Sequence, residues 1–519
     1  MNQKLIKRIN DYTWMYTWSG NFPLLDCAYD KGLKFQKEHT RISGDSLRVI
    51  INLFENGIQT CYQAVEDRDR LDQFYRNRFE VEPGFMIDVV KDYRKRVNFD
   101  LKELRKIWAI KNLDKLSNKK LIELLNKVGR HLIYNLTVDI YDWYMEIALM
   151  PVLESYMKRR LGELGKAELV TEYINTLITP HQVSIIYKER QSFFNIVKLV
   201  RDNKALLEVV QKGISYDGVI KENKEIKKLI DKHFKGYVWI NVYANNPPST
   251  VLSIWNEVID YIKNDTPLTV KAKRLGDDYD VSLIERSKVF LEEIGPSKEV
   301  KNLIMSLRRM AFLRTEDYPV MGESAYYIIP LYTEIAKRLG LTYYELKEFL
   351  PWEIADYLKE NKKVKEKDLK ERLKLSCFMT IDNKEYVFVG KDAQKIKDTI
   401  QTQLEVEKTN KDIFEGATGS VGKITGKVVI GTSLEGASKV KKGDILVVAS
   451  ASNVFDIYLR KASGIIAEFG GLTSHPVIVA REFKTPCIVG VKNITQYLKD
   501  GDLVELDADK GVVKILKNQ

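Results

Sequence analysis

The 519-residue chain is poor in cysteine, holding only Cys27, Cys61, Cys377 and Cys487. Their wide separation excludes a metal knuckle and a dense disulfide frame, as expected of a reducing interior. Histidine is scarce too, and four of the five (His39, His131, His181, His233) sit in no metal spacing or nucleophile motif, so they read as structural. No apolar run approaches the roughly 18–20 residues of a membrane span. The opening stretch, MNQKLIKRINDYTWMYTW, lacks the apolar core and small-residue cleavage site of a secretory signal. A cytoplasmic location and no membrane partner are therefore expected. Residues 1–400 contain no glycine-rich phosphate loop and no succession of βα units, so neither a nucleotide cradle nor a parallel barrel is expected there.

A hydrophobic fraction of 44% with 30% charged residues lies in the ordinary globular range and excludes a disordered or fibrous chain. The 83 Lys and Arg against 72 Asp and Glu give a net charge of +11, a balance that can steer anions. The basic residues are interleaved with acids, as in KENKEIKKLIDKHFK (221–235), which marks solvated helical faces. No nucleic-acid signature accompanies the charge, so a nucleic-acid partner is not expected.

Glycine and the aromatics divide the chain. Thirteen of the 29 glycines fall within residues 415–519, whereas all seven tryptophans precede them. The spacing of apolar residues predicts helices in 116–164, 192–214 and 249–264, punctuated by Pro151 and Pro180. Near residue 340 the sequence predicts a glycine stop at Gly340, a Thr342 cap with Glu345 three residues on, and a helix opened by Pro351. SCFMTIDNKEYVFVG (376–390) reads as a hairpin around Asp382-Asn383-Lys384, followed by a helix to about residue 408. The resulting expectation is a multidomain protein. A mainly α-helical region occupies 1–375, a β-hairpin and helix 376–408, a linker 409–420 and a compact domain of strands and helices 414–519.

One stretch carries chemistry. Gly470-Gly471-Leu472-Thr473-Ser474-His475-Pro476 follows an apolar strand (464–468) and precedes an apolar helical run. Pro476 suits a first helical position and disfavours helical geometry at the residue before it. His475 is thereby expected at or near a helix N-terminus, where unpaired backbone N–H groups suit an anion and the dipole favours neutral, nucleophilic imidazole. Read on these residues alone, His475 either carries phosphate or merely caps its helix.

The wider pattern, GGLTSHPVIVAREFKTPCIVG (470–490) followed by DGDLVELDADKGVV (500–513), resembles the phosphohistidine swivelling domain of the phosphoenolpyruvate-utilising enzymes. Phosphoenolpyruvate synthase, pyruvate phosphate dikinase and rifampin phosphotransferase belong to that family. The resemblance spans about 414–519 and implies a C-terminal β/β/α swivelling domain. In it His475 is the phosphoryl carrier, Thr473 and Ser474 stand beside it, and Gly470 and Gly471 permit close approach. Glu468 keeps the acidic position two residues before the paired glycines. Three positions depart from the family: Pro476 replaces the usual alanine, Ala451-Ser452-Asn453 replaces a Thr-x-Pro, and Ala467 replaces a common threonine.

The family's ATP-grasp and pyruvate-barrel domains have no counterpart here, so the resemblance implies a separate ATP-grasp protein as partner, or phosphoenolpyruvate as donor. It also implies Mg²⁺ bound with the donor phosphates, no tightly bound cofactor, and a small-molecule acceptor. Residues 236–247, 307–318 and 338–354, with the hairpin and GKDAQKI (390–396) that follow, are similar to the helical middle part of rifampin-phosphotransferase-like members. There Arg308, Arg309 and Arg314, on one predicted helix, are candidates to clamp an anionic substrate, although solvated or ion-paired arginines are commoner. The function expected is a phosphotransferase component carrying a phosphoryl group on His475; the alternative is a catalytically idle regulatory or binding paralogue that kept the fold.

Overall fold

The computed structural model describes residues 3–517 apart from 21–22, 83–84, 183–184, 213–215, 241, 243–246, 264–277, 406–411, 433, 450–454 and 472–473. The chain forms two compact units, residues 76–338 and residues 1–75 with 339–519.

The first of these is helical. Long helices Phe85–Trp108, Asn118–Glu163 and Lys298–Leu339 dominate it. Polar rungs tie the first two together: Lys127 Nζ donates to Glu103 Oε2 at 2.7 Å, and the His131 ring Nδ1 lies 2.5 Å from Asp100 Oδ1. Pro151 does not punctuate its helix. It sits exposed inside Asn118–Glu163, on a face open to solvent rather than buried in the core, where water can pair the carbonyl that the ring leaves without a donor. The 192–214 pattern is two helices, Ile185–Asp202 and Lys204–Gln211, because Asn203 caps the second: its side chain accepts from Leu206 N at 3.2 Å.

The other unit contains two sheets. Residues 1–375 are mainly helical as expected, but the unit's first sheet takes three strands from them and corrects the expectation that 376–408 stands apart. Strands β1 (Trp14–Gly20), β2 (Ile50–Glu55) and β3 (Ile58–Ala64) pair with β4 (Ser376–Ile381) and β5 (Lys384–Val389) in the antiparallel order β1-β3-β2-β4-β5. Both hairpin loops have two residues with positive φ, Asn56-Gly57 (51° and 81°) and Asp382-Asn383 (50° and 61°). That is the turn whose twist matches paired strands. Alternation then sends Ile51, Leu53, Tyr62, Cys377 and Met379 into one apolar core with the helix Lys391–Glu405. The glycine stop at Gly340 (φ 74°) and the reciprocal Thr342–Glu345 capping box are present as the sequence predicts. Pro351 opens the helix Pro351–Lys359.

The second sheet has eight strands among the described residues: β6 (Ile413–Glu415), β7 (Ala417–Ser420), β8 (Lys423–Ile430), β9 (Ile445–Val448), β10 (Gly464–Ala467), β11 (Cys487–Val489), β12 (Leu503–Asp507) and β13 (Val512–Lys517). Their order is β6-β13-β12-β8-β9-β10-β11-β7. β8 to β11 run parallel and the flanking pairs antiparallel. The central strands are apolar on both faces because both are covered. Leu446, Val448, Ile465 and Ala467 meet Val477, Val479 and Ala480 of the helix His475–Phe483. Ile445, Val447 and Ile466 meet Phe414, Val504 and Val513 on the other side. The linker expected over 409–420 is therefore corrected. Residues 413–420 supply two strands, since Phe414 is buried in this core and Ala417–Ser420 closes the edge beside β11. Residues 409–411 lie outside the described residues.

Candidate functional site

A parallel sheet directs the carboxyl ends of its strands toward one edge, and there ligands are usually held. Here β9, β10 and β11 end together. Past β10, Glu468 N donates to Val448 O at 2.9 Å and Phe469 N to Ala449 O at 2.8 Å, so the chain continues along the exit of β9. Past β11, Val491 N donates to Ala467 O at 3.2 Å. The three exits thus gather segments 449, 468–471 and 490–495 at one edge.

The glycine pair lies in this edge. Gly470 has φ of 119°, and a Cβ on it would stand 2.8 Å from the Ser474 Cβ and Oγ. Both facts require glycine, since an L side chain is strained at that φ and has no room. The turn closes with Ser474 N donating to Gly471 O at 3.0 Å. Ser474 is extended (φ −67°, ψ 154°) and His475 begins the nine-residue helix His475–Phe483. The helix N-terminus predicted for His475 is where its backbone lies. Thr473 and Ala451-Ser452-Asn453 fall outside the described residues.

The helix start differs from expectation in its free donors. Pro476 has no N–H, and Val477 N donates to Ser474 O at 3.0 Å, so the first turn offers fewer backbone groups to an anion. The Ser474 hydroxyl makes no cap bond; its Oγ is buried without a partner among the described residues. Beyond the first turn, Arg481 anchors the helix by donating from Nε to Gly419 O at 2.8 Å. Burial lowers that guanidinium to about 10.

Glu468 is only 2% exposed. Its Oε2 accepts from Thr495 N at 3.0 Å and from Thr495 Oγ1. Burial lifts the carboxyl above its ordinary range, and the two Thr495 bonds oppose that lift. Thr495 is a site residue that the sequence reading missed. It lies 27 positions downstream of Glu468 with no motif to mark it.

These features match a known family. Residues 440–511 match the PEP-utilising enzyme mobile domain. The C-terminal region carries that mobile domain. Relatives extend the likeness. A probable phosphoenolpyruvate synthase of Pyrococcus horikoshii is 35% identical over 132 residues, 25% of this chain and 16% of that protein. Phosphoenolpyruvate synthase of Aeropyrum pernix is 39% identical over 102 residues, 20% of this chain and 12% of that protein. A rifampicin phosphotransferase of Bacillus cereus is 22% identical over 397 residues, 69% of this chain and 42% of that protein. The chain thus spans less than half the length of each. The rifampicin phosphotransferase similarity reaches well beyond the mobile domain into the rest of the chain.

The arginines of the helical unit are engaged inside it. Arg308 donates from Nε to Leu177 O and from Nη2 to Ser287 Oγ, both at 2.7 Å, and its Nη1 lies 3.3 Å from His181 Nδ1. Burial lowers its guanidinium to about 10. Arg314 forms an ion pair with Glu146, both largely buried. Arg309 lies half-buried on the same helix. Two of the three therefore serve as ties between helices. Among the described residues no three His, Cys, Asp or Glu side chains group as a metal site, and no helix is long and apolar enough to cross a membrane.

Proposed function

We propose that His475 of the mobile domain carries a phosphoryl group between a donor and a small-molecule acceptor. The observation that carries this reading is the placement of His475 at the first position of a helix, on a glycine turn at the carboxyl edge of parallel strands. A helix N-terminus disfavours imidazolium, which makes it a suitable place for a nucleophilic, neutral histidine. An imidazole nitrogen attacks the donor phosphorus and the bond to the leaving oxygen breaks. The acceptor oxygen then attacks the same phosphorus, the N–P bond breaks, and the acceptor proton is lost to solvent or base. The Ser474 hydroxyl, buried and unpaired among the described residues, is a donor for the phosphoryl oxygens.

The donor is ATP held by a separate ATP-grasp protein, or phosphoenolpyruvate. Mg²⁺ neutralises donor phosphates in this chemistry. The ion is assigned to the donor phosphates and no step is routed through it. The rifampicin phosphotransferase relative, matched over 69% of this chain, favours a transferase reading that extends beyond the mobile domain and a small-molecule acceptor served by the helical unit.

Intact mass at alkaline pH, where phosphohistidine survives, tests the proposal. The full chain is incubated with Mg²⁺ and either phosphoenolpyruvate or ATP, with and without a candidate ATP-grasp protein. One added phosphoryl group, lost in His475→Ala, is the expected result. No gain with any donor or partner overturns it and leaves the regulatory reading.

A further inference from the structure

Burying a carboxyl group is expensive unless its oxygens are paired. Glu468 is buried at the point where β10 ends, with Oε2 doubly bonded to Thr495 and Oε1 buried without a partner among the described residues. The fold tolerates an unpaired carboxyl oxygen two residues before Gly470 and seven before His475. Such exceptions cluster where something other than stability depends on the group.

The Thr495 contact joins two of the three strand exits. Thr495 lies in the short helix Ile494–Tyr497, which follows β11 through Val491. That segment is already held to β10 by Val491 N donating to Ala467 O. Glu468 adds a side-chain tie one residue further along, two residues before Gly470. Without it, the path from Ala467 to the helix start depends on the backbone contacts to β9 and on the conformationally free Gly470. The chain could then rotate about the glycine pair and carry His475 with it.

We infer that Glu468 is a positioning residue: its carboxyl group, held by Thr495, fixes the exit of β10 at 468–471 and thereby the presentation of His475 at the start of the helix that follows. The inference rests on the carrier reading for its functional consequence but not for its structural one. A Gln side chain supplies an amide oxygen able to accept the same two Thr495 bonds, whereas Ala supplies none. Thr495→Val removes the hydroxyl donor and keeps the backbone donor. Charge and tie are therefore separable.

The test uses the full chain and two readouts. Amide hydrogen exchange over 468–477 reports the turn; the rate of phosphohistidine formation with phosphoenolpyruvate or ATP reports presentation. Glu468→Ala is expected to speed exchange in the turn while leaving β8 and β12 protected, and to slow phosphorylation by roughly tenfold to a hundredfold, as expected of a reacting group misplaced by about an ångström. Thr495→Val follows it more weakly, and Glu468→Gln stays within about threefold of the parent, a rescue that general loss of stability would not produce. Unchanged exchange and unchanged rate in Glu468→Ala and Thr495→Val overturn the inference, as does Glu468→Gln behaving like Glu468→Ala. If Glu468→Ala fails to fold, Thr495→Val and Glu468→Gln decide it. If the parent is not phosphorylated while the turn loosens as expected, the carrier reading fails and the positioning role stands; if the turn does not loosen either, both fail.

Discussion

Gly470→Ala isolates what the glycine turn contributes. The residue has φ of 119°, and an added Cβ would stand 2.8 Å from both Ser474 Cβ and Oγ. A non-glycine residue held at such a φ costs about 1–3 kcal/mol. The Ser474 contact adds to this, because the atoms met belong to the residue that precedes His475 and not to a flexible side-chain end. If the turn relaxes instead of bearing the strain, the native turn loses roughly fivefold to 150-fold in population, and phosphohistidine formation should fall by about as much. Gly443→Ala is the control: its φ is 100°, but nothing lies within 4 Å of the added atom. It carries similar backbone strain with no push on the site. All seven tryptophans precede residue 415, so tryptophan fluorescence does not report the mobile domain. Hydrogen exchange of β9 and β10 should therefore accompany the phosphorylation rate. Expected is a comparable loss of protection in both variants and a loss of rate in Gly470→Ala alone. Equal rates in the two variants would refute the argument that the turn presents His475.

The remaining predictions concern the scaffold. Arg314→Ala removes the guanidinium that pairs with largely buried Glu146, and thermal unfolding of the helical unit should show a loss of about 1–3 kcal/mol. Replacing both residues by leucine should recover much of that loss. Burial raises Glu348, which is 8% exposed, to about 7. A carboxyl group raised above its unfolded value favours the fold fully below about pH 4.5 and loses that contribution as pH rises through 7. Glu348→Gln should therefore flatten the pH dependence of urea unfolding and stabilise its unit at pH 8 by at most about 3 kcal/mol. An unchanged slope between pH 5 and 8 would contradict this.

How much could be read from the sequence depended on how far apart the partners lie. The His475 turn is local: two glycines, a serine and a proline within seven residues dictate a strand exit and a helix start. The hairpin at Asp382-Asn383 and the Thr342–Glu345 box are equally local. The strand β2 was missed although Asn56-Gly57 marks its hairpin, because its other neighbour is β4, some 320 positions away (Asn52 opposite Phe378). The 409–420 stretch reads as a linker from its small residues, yet Phe414 and the edge beside β11 make it sheet. Arg308 offered an anion clamp on paper. Its carbonyl and hydroxyl partners, Leu177 and Ser287, lie on other helices. Glu468 was noticed for its position, but Thr495 came only with the fold.

The pairing of β2 with β4 sets a timetable for the ribosome. Residue 64 completes β3, and β4 begins at residue 376, so the nascent β1-β3-β2 ribbon waits for roughly 300 residues, about 15–60 s at ordinary elongation rates. Throughout that interval β2, whose residues Ile50 to Phe54 are buried in the finished sheet, presents an open edge able to capture strands from neighbouring polysomes. The helical unit, made wholly within the interval, is free to condense first. Slowed translation of codons 76–338, or expression of residues 1–338 alone, should therefore send the protein to aggregates through a strand that the mature molecule never exposes.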